Sequence, residues 1–412
     1  MLRRLPLLPI LLTLGLLAAR ILRAPVLSDP TGNPLPDGVH LAYPATNLVL
    51  APLFDLWDGV SMLSMTRLKG LVAGLALLLL AWRIIAALRR KSSDPDPGPP
   101  IGLIREVGAL TLAIGLFAAF VAGGILWHRP MVSLAGIPPN HVVADFHSHT
   151  SASHDVRNTL MKGFDAESNR RWHQRGGFDV SFITDHNTTA GFPAEWSHGG
   201  STLLCPGIEI SAWRAHIVLL GATEMTERAP PGDSLAGVLR LLRASWPRYH
   251  ALAIASLPEY DRNHWSNLDS LVAAGVAGFE IVNPSPKANE FTLARRDSII
   301  ALARAHDLLL LAVTDSHGWG ATVLGWNLVR APQWRPADPA ACENLVSTLR
   351  SGGTAAVQIA ERHHLRRESW WPWILTPLAV IWESWRGLGV LQVIGWVVWI
   401  WAAGLVRAYR RA

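Results

Sequence analysis

Long apolar segments without acidic residues lie at both ends of the chain, on either side of a more polar middle. Residues 107–127 and 387–406 are long enough to cross a bilayer as helices, and residues 68–88 form a third such segment. Lys69 and Arg83 lie near the ends of that third segment, where their side chains can reach the membrane surface. Residues 5–22 contain Pro6 and Pro9 and predict either a first membrane anchor or a signal peptide.

Two further apolar stretches, residues 47–54 and 370–382, are too short to cross a bilayer straight. We interpret them as interfacial or re-entrant segments. The sequence SSDPDPGPP at residues 92–100 has the composition of a Pro-rich linker. The pattern therefore predicts a membrane-anchor region at residues 1–135 and, at residues 361–412, a Trp-rich interfacial segment followed by a C-terminal span.

The middle of the chain, residues 140–360, has a different pattern, in which short apolar runs alternate with helix-like stretches such as residues 235–245 and 290–306. The apolar runs predict seven buried strands: HVVADF, VSFIT, LLCPGIEI, HIVLLG, ALAIAS, GFEIVN and LLLLAV. Repeated strand–helix units predict a parallel α/β domain, and about seven strands favour a barrel. In such barrels the chemistry collects at the carboxyl ends of the strands.

Composition agrees with a membrane protein, because 50% of the residues are hydrophobic, 17% are charged and 19 are tryptophan. The net charge of +6 does not indicate a nucleic-acid partner, since three basic clusters, at residues 2–4, 88–91 and 407–411, flank the apolar segments. The positive-inside rule places these clusters in the cytoplasm. We therefore expect a multi-pass protein of the cytoplasmic (inner) membrane, with the lipid bilayer as a partner and the polar domain outside the cytoplasm.

The two cysteines, Cys205 and Cys342, lack the spacing of a metal site, and the sequence does not determine whether they pair.

Candidate chemistry falls at four of the predicted strand ends. His147 and His149 follow the first strand at an i, i+2 spacing, which directs both imidazoles to one side. The other three ends carry Asp185 with His186, then Glu209, then Asp315 with His317. Imidazole and carboxylate ligands without thiolate suit Zn, Mn or Fe, and their number favours two or three divalent ions. Such a centre is typical of hydrolysis by a metal-activated water.

Four ordered motifs, DFHSHTSASHD, FITDHNT, GIEIS and VTDSHG, resemble the PHP (polymerase and histidinol phosphatase) domain. The resemblance covers about residues 145–359, and it implies a distorted (βα)7 TIM-like barrel with a di- or trinuclear metal centre at the strand carboxyl ends. Members of this family are mostly phosphoesterases, and one branch hydrolyses carbamate or amide-like substrates. The resemblance therefore implies a membrane-anchored, metal-dependent phosphoesterase that acts on a small phosphoester.

The same resemblance assigns roles to individual residues. His147, His149, Glu209 and Asp315 would hold a first ion, and Glu209 would bridge to a second ion near His216. His186 and His317 would hold a third ion with either Asp155 or His154. Asp185, His216 and Arg214 are the candidate catalytic residues, with Asp185 orienting His186 and Arg214 stabilising transition-state charge.

One position departs from the family pattern. Members usually carry His-Pro after the fifth strand, whereas this chain has Ser256 and Leu257 before Pro258. The second ion would then be weak, absent or held by another residue, for which His264 is the nearest histidine in sequence. Two alternatives to a phosphoesterase therefore stay open: a carbamate, ester or amide hydrolase of the same fold, and a non-catalytic metal-binding sensor module.

Overall fold

The computed structural model describes residues 7–91, 101–161, 163–192, 202–224 and 234–409. The basic cluster at residues 2–4, the predicted linker at 92–100 and Arg410 and Arg411 of the C-terminal basic cluster lie outside the described residues.

The strands are β1 Leu27–Ser28, β2 His40–Ala42, β3 Ser133–Ala135, β4 His141–Ser148, β5 Val180–Ile183, β6 Leu203–Ala212, β7 Ala215–Leu220, β8 Leu252–Ala255, β9 Gly278–Val282, β10 Leu309–Ala312, β11 Gly325–Arg330 and β12 Val357–Arg362.

The α-helices are α1 Leu7–Ile21, α2 Ala45–Val49, α3 Ala51–Ser61, α4 Met65–Lys91, α5 Ile101–Leu126, α6 His154–Arg157, α7 Ala166–Arg175, α8 Leu235–Tyr249, α9 Glu259–Asn263, α10 Leu268–Ala273, α11 Leu293–His306, α12 Ala341–Gly352, α13 Thr376–Arg386 and α14 Val390–Tyr409. Short 3-10 turns lie at Trp265–Asn267, Ala288–Glu290, Gly353–Ala356 and Trp373–Leu375.

The seven predicted apolar runs form strands β4 to β10, and both faces of these strands are covered. In β7, Ile217 and Leu219 pack into one buried cluster, whereas Val218 and Leu220 pack into another. Successive side chains of a strand point to opposite faces, so a continuous apolar run is what a strand between two cores requires.

The sheet has ten strands in the order β1-β12-β11-β4-β5-β6-β7-β8-β9-β10. Pairs β4–β5, β5–β6, β8–β9 and β9–β10 are parallel, as predicted, but β6–β7 and β7–β8 are antiparallel. The sheet is therefore mixed and does not follow a strict (βα)7 repeat. The physical reason is the tight connection between Ala212 and Ala215, which leaves no room for a crossover helix and forces a hairpin.

The sheet curls until β10 comes back beside β4. Asn327 on β11 makes this closure through its side-chain amide, which donates to the carbonyl oxygens of Ala144 and Ala312 and accepts from the Ala312 amide. Beyond the strands, Ser148 and Ser316 form an isolated parallel bridge. The segments that follow β4 and β10 are thereby held side by side.

Three described helices are long and apolar enough to cross a membrane: α4 over Met65–Ala86, α5 over Val107–Leu126 and α14 over Val390–Tyr409. Only 6% of the α5 window is buried, so nearly all of its apolar surface faces outward. The predicted first span differs, because α1 has 15 residues in the described part of the chain. The apolar stretch at 370–382 forms a 3-10 turn and part of α13, whose 11 residues rise only about 16 Å.

A buried carboxylate joins the anchor helices to the sheet. Asp58 on α3 lies 2.8 Å from Arg129, which follows α5, and 2.9 Å from Arg362 at the end of β12. Burial alone would raise the pKa of Asp58, but the two guanidinium groups hold it below its ordinary value. A disulfide joins Cys205 on β6 to Cys342 on α12 and so ties that helix to the sheet.

Candidate metal centre

The end of β4 carries two histidines whose reactive nitrogens face each other. His147 and His149 are both buried, and their Nε2 atoms lie 3.0 Å apart. The i, i+2 spacing of the sequence therefore brings both rings to one point, as expected for a strand end.

Two carboxylates complete a first cluster around these rings. Glu209 Oε2 lies 3.2 Å from His147 Nε2 and 3.4 Å from His149 Nε2. Asp315 Oδ1 lies 3.7 Å and 3.3 Å from the same two nitrogens. Ligand atoms held at ~2.1 Å from one ion are separated by roughly 3.0–3.4 Å, so this spacing suits a shared metal ion.

A second cluster forms on the other side of Glu209. His216, on β7, places Nδ1 3.0 Å from Glu209 Oε1, and His186 places Nδ1 3.1 Å from Glu209 Oε2. The antiparallel pairing of β6 and β7 sets His216 near Glu209, since Ser211 is its register partner. Glu209 Oε2 thus lies near nitrogens of both clusters and Oε1 lies near His216, so this one carboxylate contacts both clusters, as a bridging ligand would.

A third cluster contains His149, Asp155, His186 and His317. Asp155 Oδ2 lies 3.0 Å from His186 Nε2 and 2.7 Å from His317 Nε2. His154 is exposed and belongs to none of the three clusters found among the described residues. Of the two alternatives left open by the sequence, the geometry therefore brings Asp155 to the site.

Several buried polar atoms of these clusters lack hydrogen-bond partners, which also fits a site for divalent metal ions. Glu209 Oε2, His186 Nδ1 and His149 Nδ1 are buried and have no hydrogen-bond partner among the described residues. Buried polar atoms normally have a partner. Glu209 Oε2 and His186 Nδ1 lie 3.1 Å apart within the cluster, whereas His149 Nδ1 lies 4.0 Å from Asp185 Oδ1. A cation is the partner that such a set would accept.

Charge within the cluster is strongly coupled. Burial disfavours the imidazolium of His147, but Glu209 and Glu280 raise its pKa well above the ordinary value. Burial likewise opposes protonation of His216 and His317, yet neighbouring carboxylates raise both pKa values to about 9. Protons therefore occupy the metal-free cluster, and metal binding must displace them.

Glu280, in the middle of β9, is a site residue that the sequence analysis missed. It is fully buried, and His147 Nδ1 donates to its Oε1 at 2.6 Å. The Leu257 amide and the Ser256 hydroxyl donate to its other oxygen. A carboxylate that accepts from Nδ1 fixes the ring with Nε2 as the ligand atom. Its only sequence signal is a lone carboxylate within the apolar run GFEIVN.

Two predicted aspartates position backbone around the site. Asp185 accepts from both the amide and the hydroxyl of Thr150 at 2.6 Å, so it holds the segment after β4 and does not contact His186. Asp145 accepts from His173 and from Thr314, which links β4 to α7 and to the segment after β10. Asp185 therefore positions backbone beside the site, and its Oδ1 also lies 4.0 Å from His149 Nδ1.

The position of the missing family histidine is filled differently. Ser256 and Leu257 are buried and donate hydrogen bonds to Glu280. His264 contacts the Trp213 carbonyl and is not part of any of the three clusters in the described chain. Glu259, which the sequence analysis did not single out, lies closer: its Oε2 is 3.8 Å from His216 Nδ1.

Arg214 lies in the turn between β6 and β7 with a left-handed backbone, φ 59°. Its side chain is exposed, and no contact among the described residues ties its guanidinium to the clusters.

No protein-family model matches the chain, and no curated protein matches it. Among solved structures, a candidate metal-dependent phosphoesterase from Bifidobacterium adolescentis is 17% identical with a TM-score of 0.34, covering 43% of this chain and 88% of its own. PsfC from Pseudomonas syringae is 16% identical with a TM-score of 0.36, covering 59% of this chain and 98% of its own.

An amidohydrolase from Chromobacterium violaceum, solved with bound sulfate and no metal, is 16% identical with a TM-score of 0.27. That match covers 42% of this chain and 87% of the other protein. Likenesses at this level carry no argument about activity, so any functional conclusion rests on the motifs and on the geometry of the site.

Proposed function

We propose that this protein is a membrane-anchored, metal-dependent phosphoesterase of the PHP type. The observation that carries the proposal is Glu209, a buried carboxylate that lies within 3.4 Å of ring nitrogens of four histidines. A purely structural carboxylate would need far fewer partners. The four histidines come from three separate segments of the chain, and that convergence is what a multinuclear hydrolytic centre requires.

At the proposed centre, different groups of residues would hold different ions. His147, His149 and Asp315 would hold one ion, and His186, Asp155 and His317 would hold another. Divalent ions of the Zn, Mn or Fe type supply polarisation of the phosphoryl oxygens and acidify the attacking water. Hydrolysis forms a bond from the water oxygen to phosphorus, breaks the ester P–O bond and returns a proton to the leaving alkoxide.

Glu259 is our candidate for the ligand that replaces the missing histidine. Its Oε2 is buried without a hydrogen-bond partner among the described residues and is directed toward the His216 side of Glu209. Replacing the imidazole with a carboxylate would still provide a donor atom for the second ion. Oxygen and nitrogen donors suit the same group of metals.

The site is proposed to lie outside the cytoplasm. Helix α4 begins and helix α5 ends at the sheet, since Met65 donates to the Pro286 carbonyl and Ile125 packs on Gly320. Residues 88–91 and Arg407 lie at the C-terminal ends of α4 and α14, which supports placing the basic clusters on the opposite side of the membrane. The disulfide supports the same orientation, because disulfides persist in oxidising compartments.

The test is an activity panel with the full chain in detergent, supplied with Mn²⁺ or Zn²⁺. We expect hydrolysis of aryl phosphates, abolished by Asp315→Asn and retained by Asp269→Asn, an exposed aspartate of α10. Hydrolysis of aryl carbamates but not phosphates would replace the proposal with the carbamate or amide alternative. Stoichiometric metal with no turnover on either class would favour the sensor module.

A further inference from the structure

A cavity of about 420 Å³ opens directly beside the metal-ligating cluster. Asp315 and His317 form part of its wall. Most of the remaining wall is apolar, with side chains of Ile125, Leu160, Met161, Pro284, Pro286 and Ala321. A volume of this size, with a mostly apolar lining and a few polar groups, is typical of a small-molecule site.

One side of this cavity is formed by the end of α5, a candidate membrane-spanning helix. Ile125 is the penultimate residue of α5, and a Cβ added to Gly320 would lie 3.1 Å from its Cα. Thr322, at the end of the same loop, accepts from Arg129 and contacts the Ser61 hydroxyl, both at 2.7 Å. The loop that carries Asp315 and His317 therefore lies directly against the end of a candidate span.

The second loop of the cavity is tied to another candidate span. Met65, the first residue of α4, donates to the carbonyl of Pro286 at 2.9 Å. Two of the three loops that line the cavity thus meet the ends of helices that are long enough to cross a bilayer.

Exposed tryptophans mark the same level of the molecule. Trp127 directly follows α5 and is 49% exposed, whereas Trp370 and Trp373 are 73% and 51% exposed. Trp373 lies against the first turns of α4, because its carbonyl oxygen is within contact distance of Gly70. Tryptophan is enriched at the boundary between lipid and water, so we expect the helix ends that adjoin the cavity to lie near that boundary.

From these contacts we infer that the substrate is a phosphoester of a long-chain membrane amphiphile. Its phosphate would lie at the Asp315 and His317 end, and the hydrocarbon adjoining it would lie against Leu160, Met161 and Ile125. This inference rests on the proposed phosphoesterase function and specifies its substrate class.

The experiment compares two substrates with the same phosphate headgroup, using the full chain in nanodiscs with Mn²⁺. One is dioleoyl phosphatidic acid, and the other is its dibutyryl analogue. We expect kcat/KM to be at least tenfold higher for the long chains. Leu160→Asp should reduce that preference at least tenfold. Leu293→Asp, an exposed leucine on α11 outside the cavity, is the matched control.

A readout without turnover accompanies the kinetics. Phosphatidic acid with a photoactivatable group in its acyl chain should label residues 159–161 or 284–286, and diacylglycerol with the same group should label them at least fivefold less.

Equal rates for both chain lengths, or labelling confined to the outer faces of α4, α5 and α14, would overturn the lipid assignment while the phosphoesterase proposal stands. Hydrolysis of none of the phosphates, including the aryl phosphate, with no headgroup-dependent labelling, would overturn both.

Discussion

Glu280 fixes the orientation of His147, a proposed metal ligand. Its Oε1 accepts from His147 Nδ1 at 2.6 Å, which leaves Nε2 directed at His149 and Glu209. Glu280→Gln removes the charge but preserves shape. We expect metal affinity to fall about 10–100-fold, as for other residues that support a metal-bound histidine.

The measurement for Glu280→Gln is a metal titration against a chromogenic chelator, with Glu343→Gln on the exposed face of α12 as the control. A normal thermal unfolding profile would show that the variant folds. Unchanged affinity in a folded Glu280→Gln protein would mean that Glu280 does not support His147.

The sequence indicated which His and Asp side chains cluster, but it did not indicate the residues that support them. His147, His149, Asp315 and His317 sit in i, i+2 pairs at strand ends, a pattern visible without a structure. Glu280 sits inside a strand and reaches His147 only because the sheet curls, so its role depends on contacts across 133 residues of sequence. No local spacing encodes such a contact.

Among elements, the attachment of α3 to β12 depends on one buried ion pair network. Asp58 is 4% exposed and forms ion pairs with both Arg129 and Arg362. Asp58→Asn would leave two buried guanidinium groups without their counter-charge. We expect a loss of about 3 kcal/mol in the free energy of unfolding, since breaking a buried pair is strongly destabilising.

The pH dependence of stability provides the check. The folded pKa of Asp58 is depressed, so its contribution is present above the unfolded value of about 3.9 and is lost as pH falls through the folded pKa. Thermal unfolding of the full chain in detergent should therefore show a smaller loss of stability below about pH 4 in Asp58→Asn than in the unmodified protein. Asp37→Asn, at an exposed position, should behave like the unmodified protein. An identical acid profile for Asp58→Asn would contradict the role of this network.

Element prediction succeeded where one physical rule dominated. The seven strands β4 to β10 are long apolar runs, and burial on both faces makes such runs conspicuous. Strands β11 and β12 were missed, and the antiparallel pairing of β6, β7 and β8 was not predicted. Hydrophobic periodicity reports whether a face is buried, but strand direction depends on the length of the connections.

The whole molecule is expected to hold the curled sheet on the outer side of the membrane. Reporter fusions after Arg90, after Gly136 and at the C-terminus would test this, with one reporter active in the cytoplasm and another active only outside it. We expect inside, outside and inside, because orientation follows the Lys and Arg bias of short flanks. A cytoplasmic signal after Gly136 would reverse the orientation and would leave the Cys205–Cys342 pairing without an oxidising compartment.

The central claim is that the three clusters around Glu209 hold metal ions. Elemental analysis of the full chain, purified with Mn²⁺ or Zn²⁺ supplied, tests it most directly, alongside His147→Ala, Asp315→Asn and His154→Ala. We expect two or three ions in the unmodified chain, the loss of at least one ion in His147→Ala and in Asp315→Asn, and full retention in His154→Ala. Full metal content in both of the first two variants, or no bound metal in the unmodified chain, would contradict it.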